Sequence, residues 1–133
     1  MRNDSTPLSI LITDDLAQNR VYFSQIIRSM LINTQIYEAD NGENAVKLAS
    51  LQITQTGSSF DIIIMDFKMP GLNGQQATFA IRQLERAANL TQSSIIITWS
   101  SSMHAPYEEA DDWLPKIFRK EDFIRILQPH NLL

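Results

Sequence analysis

Three acidic residues and one lysine stand where chemistry could be done. Asp14 and Asp15 close a short apolar run, Leu8 to Ile12; Asp66 ends another, Ile62 to Met65; Lys116 ends a short strand-like segment that starts at Asp112. Carboxylates gathered away from water repel one another, so either some hold protons or a cation joins them. An oxygen-only set with few protein ligands and room for water suits Mg2+ better than Ca2+. Zinc is disfavoured, because the chain has no Cys and its two histidines, His104 and His130, lie far from the acids in sequence. A carboxylate can also act as a nucleophile and form an acyl phosphate. Phosphoryl transfer asks the protein mainly for positioning and for neutralisation of the equatorial oxygens. A metal, a lysine and a hydroxyl donor would supply that, and Thr98 and Ser100 offer hydroxyls at the end of a further apolar run. Each acid has a plainer explanation when taken alone. Asp14 and Asp15 could cap a helix, and Asp66 could be a turn residue before Pro70. Their shared position at strand ends favours a site.

The elements that must position these residues are legible as alternating patterns. Leu8 to Ile12 reads as a strand, and Phe23, Ile26, Ile27, Met30 and Leu31 then fall at helical spacing. Gln35 to Ala39 reads as a second strand. Asp40 and Glu43 form a capping box for a helix through Ala45, Leu48 and Ala49, and the polar stretch Gln52 to Ser59 reads as a long loop. After the central strand, Asp61 to Met65, a third helix carries Ala77, Ala80, Ile81, Leu84 and Ala88. Ser94 to Trp99 is a fourth strand, and Asp112 to Lys116 a short fifth. Ser100 to Ala110 contains Pro106 and only a faint helical signal; Phe123, Ile126 and Leu127 mark a last helix. Such alternation implies an α/β parallel sheet covered on both faces. Sites in open sheets of this kind form outside the carboxyl ends of the strands, the end where all three acids stand.

At 133 residues and 44% apolar, the chain suits one globular domain, 1–133, with a core of about 8–128. Its net charge of −4 provides no basic footprint for nucleic acid. The absence of cysteine fits a reducing compartment. No apolar run approaches the ~20 residues of a membrane span, and the opening MRNDSTP is unlike a signal peptide, so the expectation is a cytoplasmic domain without membrane insertion.

Five segments in order, "ILITDDLAQNR", "YEADNGENAV", "IIIMDFKMPGLNG", "IRQLE" and "DDWLPKIF", resemble the receiver domains of two-component response regulators over essentially the whole chain. "DLAQNR" is similar to receivers of hybrid histidine kinases. The resemblance implies a flavodoxin-like, doubly wound five-stranded parallel sheet, order 2-1-3-4-5, with flanking helices. It also implies a signalling switch phosphorylated on Asp66 by a phosphohistidine of a histidine kinase or histidine phosphotransfer protein. Mg2+ would be held by Asp14, Asp15 and Asp66, Asp15 most directly, together with the backbone carbonyl of Lys68. Lys116 would pair with a phosphoryl oxygen, and Trp113 takes the aromatic switch position. Asp66 is expected to be exposed, so that the donor can reach it. The chain would catalyse only its own phosphorylation and slow dephosphorylation, which makes it a switch more than an enzyme.

Three departures from the family stand out. The switch hydroxyl is Thr98 or Ser100, two apart and so on one side of the strand. Thr98 is preferred because it follows the apolar triplet, although it puts bulky Trp99 where the family has a small residue. The fourth helix is expected to be shortened or lost. The family's Lys-Pro pair is Lys116-Ile117, where a cis bond would cost roughly 2.5–4 kcal/mol, so a trans bond is expected. The alternative to the switch is a pseudo-receiver, a protein-interaction module without phosphorylation. A flavin carrier on the same fold fits poorly, because "TDD" would set acids against a phosphate.

Overall fold

In the computed structural model, which describes residues 6–30, 33–101 and 108–132, every strand run ends on one edge. The elements are β1 (Leu8–Thr13), α1 (Ala17–Met30), β2 (Thr34–Ala39), α2 (Gly42–Thr56), β3 (Ile62–Asp66), α3 (Gly74–Ala87), β4 (Ile95–Trp99), β5 (Asp112–Leu114) and α4 (Lys120–Leu127). A short 3-10 turn, Gln128–His130, follows α4. All strand pairs are parallel, in the order β2-β1-β3-β4-β5. The flavodoxin-like order expected from the resemblance is therefore present.

Because side chains alternate along a strand, the uninterrupted isoleucines of β3 and β4 divide between two buried faces. Ile62, Ile64, Ile97 and Trp99 pack with Phe23 and Ile27 of α1 and with Phe123, Ile126 and Leu127 of α4. Ile63, Met65 and Ile96 pack on the other face with Ala45 and Ala49 of α2 and Ala77 and Ile81 of α3. The first face is aromatic: Phe23 meets Trp99 and Phe123 edge-on, with centroids 4.8 and 5.2 Å apart. That geometry adds to what area burial contributes.

Several local expectations are corrected. Gln52 to Thr56 is not loop but the last turn of α2. Thr54 and Thr56 hydroxyls donate back to the Ser50 and Gln52 carbonyls, and Gly57, at φ 76°, supplies the left-handed residue that stops the helix. The cap of α2 is Asn41, not Asp40, since the Asn41 side chain accepts from the Asn44 N–H. Glu43 serves a different purpose: its carboxylate accepts from the Leu72 N–H at 3.1 Å and pins the loop that follows Asp66. β5 ends at Leu114, so Lys116 lies two residues past the strand and not at its end. The expectation of a shortened or lost fourth helix falls mostly on residues 102–107 and lies outside the described residues, as does Leu31. The part of that crossover that re-enters the sheet is held by Arg82, which is buried. Arg82 donates to the Glu109 carbonyl, the Ser94 carbonyl, Glu85 and Asp111, each at 2.8–2.9 Å. With each polar partner met, a buried ion network of this kind fixes geometry.

The loop after Asp66 also leans on a close backbone approach. A Cβ at Gly42 would sit 2.7 Å from the Leu72 carbonyl oxygen and 2.8 Å from Leu72 Cβ. Gly42→Ala must push that loop away, and we expect a loss of about 1–3 kcal/mol, read as a lowered Tm with a cooperative melt retained.

Candidate functional site

β1 and β3 are adjacent and in register, Thr13 beside Met65, so their carboxyl ends bring Asp14 and Asp66 to one rim. One oxygen from each of Asp14, Asp15 and Asp66 lies within 4.8 Å of the others. Asp14 is wholly buried, Asp66 only 5% exposed, and Asp15 open to solvent. The expectation of an exposed Asp66 is thus corrected: the carboxylate sits at the floor of the rim. The Phe67 N–H donates to its Oδ1 at 2.9 Å, and the Lys116 ammonium lies 3.1 Å from the same oxygen.

Asp14 is the anchor of the group. It accepts from the Leu16 N–H at 2.9 Å, from Asn19 Nδ2 at 3.2–3.3 Å, and from Lys116 Nζ. Arg20 Nη1 donates to its backbone carbonyl at 2.7 Å while pairing through Nε with Glu38. The sequence reading assigned no role to Asn19. The signal for it was a polar side chain five residues beyond Asp14, in the first turn of α1. Asp15 turns outward, which leaves it free of the Lys116 contact that occupies Asp14. Lys68 lies two residues past Asp66 in a loop that is closed by the Gly74 N–H donating to the Phe67 carbonyl at 2.9 Å.

The charges set the chemistry. Burial pushes the Asp66 carboxyl up from 3.8 to about 6; Lys116 pulls it down, Asp14 adds to the rise, and the Phe67 N–H opposes it. A value of about 6 leaves Asp66 largely ionised at neutral pH. Thr98 and Ser100 are both buried. The sheet pairs Met65 with Thr98 and Asp66 with Trp99, so the two hydroxyl residues bracket the position beside Asp66. Thr98 is also in register with Trp113 of β5, which sets the candidate hydroxyl and the candidate aromatic switch side by side. The Lys116–Ile117 bond is trans, as expected.

Comparison with known proteins agrees with this geometry. The family model described as response regulator receiver domain matches residues 10–128. The chain is 27% identical to the nitrate/nitrite response regulator protein NarL of Escherichia coli over 94% of its own length and 55% of that protein's. It is 32% identical to the sensor histidine kinase GacS of Pseudomonas protegens, over 71% of this chain and 9% of that one. The chain thus spans about half the length of the first relative and a small part of the second. Among solved structures, the receiver domain of the histidine kinase CKI1 from Arabidopsis thaliana, complexed with Mg2+, superposes with a TM-score of 0.70 at 27% identity, covering 88% of this chain and 89% of that one. No described helix is long and apolar enough to cross a membrane.

The raised Asp66 value has a consequence for stability. A carboxyl whose folded value lies above its unfolded one contributes stability that is complete below the unfolded value and lost as pH rises through the folded one. For Asp66 the loss runs from about pH 4 to above pH 6 and amounts to roughly 2–3 kcal/mol. Without divalent metal at pH 7.5, Asp66→Asn should melt at or above the wild-type temperature, and the difference should vanish below about pH 4. Thermal melts across pH in a chelator check this; a variant less stable than wild type at pH 7.5 would contradict it.

Proposed function

The chain belongs to the response regulator receiver domain family, and we propose that Asp66 is its phosphoacceptor in a Mg2+-dependent signalling switch. The observation that carries this is the Lys116 ammonium, 3.1 Å from Asp66 and bonded also to Asp14, at the end of the sheet where three carboxylates meet. An ionised Asp66 oxygen attacks the phosphorus of a phosphohistidine on a sensor kinase or histidine phosphotransfer protein. The P–N bond to the donor breaks, and an acyl phosphate forms on Asp66.

The donor set fits a hard divalent ion: oxygens alone, with one open carboxylate and two held ones. Asp14, Asp15, Asp66 and the Lys68 carbonyl would hold Mg2+, whose chemistry when bound is neutralisation of the phosphoryl oxygens. Lys116 follows the charge, exchanging its contact with the Asp66 carboxylate for a phosphoryl oxygen. The Thr98 hydroxyl donates to another phosphoryl oxygen. Trp113, its in-register neighbour, carries that shift to the surface of β5. Water attack on the acyl phosphate returns the chain to its starting state. Activity is limited to this self-modification.

A small-molecule phosphoryl donor such as acetyl phosphate tests the reading. Wild type should be labelled with Mg2+ and not in a chelator. Asp66→Asn should lose labelling, and Lys116→Ala should lower its rate about a hundredfold. Labelling that survives in Asp66→Asn moves the acceptor to Asp14 or Asp15. A wild-type chain that is never labelled favours the pseudo-receiver.

A further inference from the structure

Trp99 occupies a position that its burial alone does not explain. It is the last residue of β4, in register with Asp66 on one side and Leu114 on the other, so its indole leaves the sheet on the same face as the Asp66 carboxylate. The residue is 1% exposed. Phe23 and Phe118 meet the ring edge-on at 4.8 and 6.3 Å, which leaves it little freedom. Its Nε1–H donates to the Pro115 carbonyl at 3.1 Å. Over the ring lies Lys116 Nζ, 4.2 Å from its centroid.

These contacts bear on how the ammonium is aimed. The segment carrying Lys116 has a trans bond after the lysine and an Ile117 that is 91% exposed, so the residue that follows gives no packing support. The flexible stem of a lysine does not fix its own end. The indole constrains the segment twice, by binding the carbonyl just before the lysine and by offering its π face to the ammonium. Asp14 and Asp66 form ion pairs with the same ammonium.

We propose that Trp99 is the positioning residue for Lys116, holding the ammonium against Asp66 by ring face and by the Nε1–H···Pro115 hydrogen bond. This rests on the reading of Asp66 as phosphoacceptor and Lys116 as its phosphoryl partner. Trp99 itself touches no reacting atom; it acts through Lys116.

The test uses two readouts on the full chain. The only tryptophans are Trp99 and Trp113, so in a Trp113→Phe background the emission reports on Trp99 alone. Lys116→Met in that background should shift or re-scale the emission; an unchanged spectrum overturns the proposal. The second readout is the rate of labelling by acetyl phosphate with Mg2+. Trp99→Phe, which keeps a π face but loses the Nε1–H donor, should fall about threefold, whereas Trp99→Leu, which loses both, should fall about tenfold. In a Lys116→Met background the same Trp99→Leu change should cost nothing more, because its effect passes through the lysine. A folded Trp99→Leu chain labelled at the wild-type rate overturns the proposal. So does a further tenfold loss in the Lys116→Met background, which would mark a purely structural role. If Trp99→Leu does not fold, the emission of Lys116→Met decides. If wild type is never labelled, the phosphoacceptor reading fails, and the emission still decides whether the indole holds the lysine.

Discussion

Two buried carboxylates, Asp14 and Asp66, share one ammonium, and the chemistry of the site follows from that shortage of positive charge. The parallel sheet brings the acids together whether or not the result is comfortable, since β1 and β3 must pair in register to bury their isoleucines. Lys116 reaches them from 102 residues further along the chain than Asp14. Burial, with Asp14 adding to it, leaves Asp66 with a raised carboxyl value, and one cation between two anions leaves the rim with an unmet demand for charge. A divalent ion or a transferred phosphoryl group changes that balance at once, which is the property a switch needs.

The two faces of the sheet contribute differently. The face covered by α1 and α4 is aromatic and ends in Trp99, so the packing that stabilises the fold continues into the site. The face covered by α2 and α3 is mostly aliphatic, with Phe60 and Tyr37 in ring contact at its edge, and its polar anchor is the Arg82 network that ties α3 to the start of β4 and to the segment entering β5. Thr98 shares the second face with Met65 and Ile96, while Asp66 belongs to the first. The proposed switch therefore crosses the sheet: the charge change occurs on one face and the hydroxyl that answers it stands on the other, beside Trp113.

Much of this was legible in the sequence, because its signals are local. Apolar runs of strand length, each closed by an acid or a hydroxyl residue, placed the strands and put Asp14, Asp15, Asp66 and Thr98 on one edge. The turn "MPGLNG" marked the exit from β3. What escaped depends on contacts made at a distance. The end of α2 was hidden because Gln52, Thr54 and Thr56 are polar, and a helix facing solvent tolerates them until Gly57 breaks it. Asp40 and Asn41 are both good caps, and only backbone geometry chose the second. Asp66 is buried and pairs with Lys116, fifty residues on, which no window around residue 66 shows. The same holds for Trp99. As a sequence letter it was a bulky misfit, and its partner Pro115 is 16 residues away.

The central claim is that the charge-deficient carboxylate at the end of β3 is where the phosphoryl group goes. The measurement that tests it most directly is site mapping after reaction with a phosphoryl donor and Mg2+. Borohydride reduction converts a phosphorylated aspartate to homoserine, which is then located by peptide mass spectrometry. The account predicts homoserine at position 66 alone. Homoserine at position 14 or 15, with Asp66 intact, would contradict it.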